Sequence, residues 1–218
     1  MSKQPWRVKF EQWQAAHGDG GLSGVADHLE LLIRVANLLR VSEFKSALEK
    51  FLGEWGRFVR RLYESESISI AACDGSRFIS QQNSLFLRFI DGHFSRLGLD
   101  VFDKATEKTE VAIYELFKDA TYEQMFNSLS LDRESLCLTQ DQIIDFCEHN
   151  RDELRKDGYC TFFLFKKDDP SHEEKARFFV ASVSVTPDGL GVYVYSFKDS
   201  GMQSSAQAHR LVVPQLKL

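Results

Sequence analysis

From Thr139 to the C-terminus the apolar positions follow first a helical and then a strand rhythm. Ile143, Ile144, Phe146, Cys147 and Leu154 recur at roughly helical spacing. Ahead of them, Thr139-Gln140-Asp141-Gln142 has the form of a capping box, a hydroxyl at the cap and an amide side chain three residues on. The spacing predicts a helix closed at Asp157-Gly158, where a glycine suits the left-handed residue that commonly ends one. Four β-type runs follow, at 159–165, 178–185, 190–197 and 209–214. A polar stretch over 167–174 joins the first pair, and Pro187-Asp188-Gly189 is a tight-turn signature between the next. Short links imply an antiparallel meander whose apolar face the helix covers. The last run is expected at an edge, with Pro214 ending its pairing.

The N-terminal part reads differently. Trp6 and Trp13 precede a glycine-rich break at His17-Gly18-Asp19-Gly20-Gly21. Ser23 then caps a helical pattern of Val25, Leu29, Leu32, Ile33, Ala36 and Leu39. A second follows in Phe44, Leu48, Phe51, Leu52, Trp55, Phe58, Val59 and Leu62, at spacings of three and four. Together they predict a helical hairpin joined near Ser42. Between the two halves, Ile68 and Ile70 alternate with serines as in a short strand, and Asp74-Gly75-Ser76 signals a turn before a second strand at Arg77. Residues 85–97 suit a helix, 111–117 suit a strand or a helix, and 122–129 suit a short helix. The expected architecture is α+β: a helical region over 1–64, then a domain over 65–218 whose antiparallel sheet has about four strands under one helix.

Composition narrows the functional classes. Eighteen Phe residues point to a core of bulky rings. A net charge of −5 disfavours binding to a phosphate backbone, and the middle of the chain, 65–138, is the most acidic, with 12 acidic against 7 basic side chains. Arg57, Arg60 and Arg61 form a small basic cluster that also suits a helix C-terminus. The opening Met-Ser-Lys-Gln-Pro-Trp lacks the apolar core of a signal peptide. The longest apolar stretch, 29–41, is broken by Glu30, Arg34, Asn37 and Arg40, so no membrane span is expected. With no CxxC spacing among Cys73, Cys137, Cys147 and Cys160, the expectation is a cytoplasmic protein with free thiols.

From Gly75 onward the chain resembles a family of small bacterial proteins of uncharacterised function. The resemblance rests on residues 76–81, 111–116 and 136–144, on Asp157-Gly158-Tyr159-Cys160-Thr161 with the phenylalanines after it, and on His209-Arg210-Leu211-Val212-Val213-Pro214. It implies a bacterial, cytosolic origin and transfers no site residue.

Candidate chemistry is sparse. Cys137, Cys147, His149 and Cys160 have zinc-binding atoms, but Cys147 and His149 stand about 200° apart around a helix axis. Cys73 and Asp74, with His93 or His209 as base, are the candidates for a hydrolase or nuclease site, without a local signature to join them. Asp152-Glu153, Asp168-Asp169 and Glu173-Glu174 read as solvated pairs, and the glycine-rich break lacks the lysine of a phosphate loop. Tyr193 and Tyr195 alternate with valines, so the pair faces outward if only one side of the sheet is covered. Arg77, His209 and Arg210 join them as candidate binding residues. The expectation is a non-enzymatic protein-interaction module with another protein as partner and no cofactor; the alternative is a small hydrolase or nuclease.

Overall fold

Residues 162–165, Phe-Phe-Leu-Phe, are buried on both sides of their strand, and the sheet is built around them. A continuous apolar run of this kind belongs to a strand covered on both faces. The computed structural model describes residues 57–63, 68–130, 132–167 and 177–215. The chain divides into two compact units, Met1–Arg57 and Phe58–Leu218, and the description concerns the second.

Eight strands form one mixed sheet: β1 (Val59–Arg61), β2 (Ile68–Ile70), β3 (Phe89–Ile90), β4 (Thr109–Leu116), β5 (Cys160–Lys167), β6 (Arg177–Thr186), β7 (Gly189–Ser196) and β8 (Arg210–Pro214). Their order is β1-β4-β8-β5-β6-β7-β3, with β2 also paired to β4. Three helices are described: α1 (His93–Arg96), α2 (Tyr122–Asn127) and α3 (Gln140–His149). Only α3 exceeds two turns.

This corrects the expected architecture. Strands dominate the described residues, and one mixed eight-stranded sheet replaces the antiparallel four-strand meander under a helix. The meander survives as β5-β6-β7, but β8 lies inside the sheet, antiparallel to β4 and parallel to β5, rather than at an edge. Pro214 sits opposite Val111 at the last register position. Residues 25–56 of the expected helical hairpin lie outside the described residues. Where its second arm enters them, Val59–Arg61 is a strand paired with Leu116, Glu115 and Tyr114, because cross-strand pairing overrides a period that so short a segment carries weakly. Residues 85–97 hold β3 and the single turn of α1 rather than one helix, and Ile79–Gln81 is a 3₁₀ turn rather than a strand.

The expected capping box closes as a pair of hydrogen bonds. Gln142 N–H donates to Thr139 Oγ1 at 3.2 Å while Gln142 Oε1 accepts from Thr139 N–H at 3.0 Å. Thr121 and Gln124 repeat the arrangement at the start of α2. Helix α3 ends at His149, earlier than expected, and a 3₁₀ turn (Arg151–Glu153) follows. Asp157 and Gly158, both at positive φ, shape the turn into β5 instead.

The sheet separates two cores. One gathers Ile143, Ile144, Phe146 and Cys147 of α3 with Phe94, Leu99, Phe163, Phe165, Val192 and Val212. The other packs Tyr122, Met125 and Phe126 of α2 against Phe162, Leu164, Leu211, Val213 and Phe197. Burying each such side chain is worth about 1.5–3 kcal/mol, so the two cores hold the sheet from both sides.

Beyond β3 the outer edge of β7 would carry an unpaired donor. Asp91 Oδ2 takes the Val194 N–H at 3.3 Å, and Asp91 Oδ1 takes the His93 N–H at 2.9 Å. Burial opposes charge on Asp91, but hydrogen bonds from His93 and Val194 outweigh it and hold the carboxyl below its usual range.

Candidate functional site

Alternation along β7 sends Leu190, Val192 and Val194 into the α3-side core and turns Gly191, Tyr193 and Tyr195 to the other face. There Tyr193 is 39% and Tyr195 37% exposed, and Phe89 of β3 beside them is 42% exposed. The Phe89 and Tyr193 rings pack at 4.8 Å between centroids. Tyr195 leans on Tyr122 of α2 at 5.6 Å, and Tyr122 meets Phe162 edge-on at 5.1 Å. A strip of aromatic rings therefore runs from the buried α2-side core out to the sheet edge. Opposite Tyr193 stands Ser182, whose small side chain leaves the ring unsupported on that side. Burial pushes the Tyr195 phenol up, and the Cys160 thiol, Tyr193, Asp91 and Asp199 act in the same direction.

This face is open only in part, since α2 and Leu136 pack on it. The sequence expectation of one covered side is corrected: both faces are packed, and the tyrosines emerge where α2 stops.

His209 is buried at the mouth of β8. Its Nδ1 accepts the Cys160 N–H at 3.1 Å and its Nε2 faces Gln207 Oε1, which assigns the ring proton to Nε2. The ring lies against Phe162 at 5.0 Å. Burial pulls its pKa below the ordinary histidine value, and the Arg155 cation adds to that. Arg210 donates to the Glu153 carbonyl at 2.6 Å and lies 3.9 Å from that residue's carboxylate. His209 thus ties the start of β8 to the first residue of β5, and Arg210 ties β8 to the segment between α3 and β5.

Arg77 is likewise engaged within the protein. Its Nε reaches Asp141 Oδ1 at 2.6 Å and its NH1 reaches Glu148 Oε2 at 2.8 Å, two residues one face of α3 presents together. Asp141 Oδ2 also accepts the Gly75 N–H at 2.9 Å, and Asp145 accepts that of Ala71 at 3.1 Å. Gln140 Oε1 takes the Ile79 N–H at 3.2 Å. The polar side of α3 thus fastens residues 71–79 to the fold. Burial disfavours the Arg77 charge, yet its bonds to Glu148 and Asp141 prevail and raise its pKa.

The residues of the hydrolase alternative each have other partners. Cys73 is buried, and burial followed by the Asp141 and Asp145 carboxylates pushes its thiol up, away from a nucleophilic thiolate. Asp74 is exposed, accepts the Ser76 N–H at 2.8 Å and is held low by that contact. His93 pairs with Asp91 at 2.7 Å on the surface. His209 belongs to the opposite core from Cys73.

The zinc candidates separate in the same way. Cys147 lies in the α3-side core, whereas Cys137 and Cys160 pack against the other. Burial pushes the Cys137 thiol up to about 12. His149 gathers instead with Asp145 and Glu148, their ligand atoms within 4.8 Å of one another. Ala71, Arg77 and the helix itself already occupy that group. Asp168-Asp169, Glu173-Glu174 and the glycine-rich break lie outside the described residues. Asp152 pairs with Lys156 at 3.1 Å. Of the arginine cluster, Arg60 binds Glu115 at 2.6 Å, and Arg60 and Arg61 are successive strand residues rather than neighbours on a helix.

Phe89, Tyr122, Asp91 and Asp199 were not legible as site residues. Tyr122 opens the short helix expected over 122–129, which the Thr121 capping box starts. Comparison with family models, curated proteins and solved structures returns no match. No helix among the described residues is long and apolar enough to cross a membrane.

Proposed function

We propose that this protein is a non-enzymatic interaction module that binds another protein through the strip of Phe89, Tyr193 and Tyr195. The observation that carries this reading is three large aromatic side chains exposed side by side, at the end of a row of rings that runs into the α2-side core. Tyrosine is enriched in protein contacts because a rigid amphipathic ring gives contact area at low entropic cost. Arg77, His209 and Arg210 support the strip's scaffold rather than the contact. The setting belongs to the same proposal: a bacterial cytosol, in keeping with the family resemblance of residues 75–218 and with cysteines free among the described residues.

The test compares proteins captured from a lysate of the source cells by the full chain and by its Tyr193→Ala/Tyr195→Ala variant, at two salt concentrations. Proteins retained by the first and lost by the second are the expected result. Identical capture by two folded proteins would remove this surface from the reading.

A further inference from the structure

We draw no further inference here: the strongest candidate, the cluster of Asp145, Glu148 and His149 on the polar side of α3, has its carboxylates engaged by Ala71 and Arg77, and among the described residues no second feature points to a ligand there.

Discussion

The imidazole of His209 accepts the backbone N–H of Cys160 at 3.1 Å, and this bond requires the ring to be neutral. Protonation would put a second N–H against a donor inside a buried site near Arg155. The folded state thus binds a proton at His209 less readily than the unfolded chain, whose value is near 6.5. The contribution of this histidine to stability is complete above that value and is lost as pH falls through and below it. Thermal unfolding between pH 8 and pH 5 should show a steeper fall for the parent than for His209→Asn, whose side-chain oxygen accepts a hydrogen bond at any pH. Parallel profiles would show that His209 titrates alike in both states. Asp91 and the other carboxyls held low act in a separate, more acidic window, below their ordinary 3.8.

The grip of α3 on residues 71–79 should be measurable at Asp141. Its two oxygens serve Arg77 and the Gly75 N–H, and the side chain is nearly fully buried. Asp141→Ala removes both acceptors, leaves a buried amide unpaired and is expected to cost about 2–3 kcal/mol in urea unfolding. Asp141→Asn keeps one acceptor and should cost less, while Arg77→Ala, at a partly exposed position, should cost least.

Two glycines at the same φ of 78° separate strain from crowding. A Cβ on Gly75 would stand 2.2 Å from the Asp103 carbonyl oxygen, whereas one on Gly158 would meet nothing within 4 Å. Gly158→Ala should therefore cost about 1 kcal/mol, the left-handed backbone penalty alone. Gly75→Ala should cost clearly more, because residues 73–75 and 103–106 must separate to admit the methyl group. Denaturant midpoints of the two variants, measured side by side, decide it.

All four thiols have raised pKa values from burial, that of Cys137 to about 12. At pH 8 the native protein should resist iodoacetamide, and all four cysteines should label once urea unfolds the chain. Rapid labelling of one native cysteine would reveal a thiolate and reopen the nucleophile reading at that residue.

Legibility in the sequence tracked the range of the interactions. The Thr139 box depends on two side chains three residues apart, and it was visible. So was the β6–β7 hairpin at Pro187-Asp188-Gly189, where the turn is local. The place of β8 depends on parallel pairing of Phe162 with Leu211, set by contacts across almost 50 residues, and nothing near residue 211 distinguishes an edge from an interior strand. Val59–Arg61 fits a helical period as readily as a strand because three residues carry too little periodicity to decide. The outward exposure of Tyr193 and Tyr195 was legible by alternation alone. Their neighbours Phe89 and Tyr122 come from elements whose position only the assembled sheet determines.

A strand edge with open amides invites another sheet to pair with it, and proteins blunt such edges with charge. Asp91 does so for β7 with a single carboxylate that satisfies Val194 and repels the same residue on another copy. The rim, where backbone amides would accept almost any extended chain, is thereby closed at Val194, and the interaction proposed above is left to the flat of the sheet. Replacing Asp91 with alanine should open the Val194 N–H at that rim, seen as concentration-dependent assembly in light scattering.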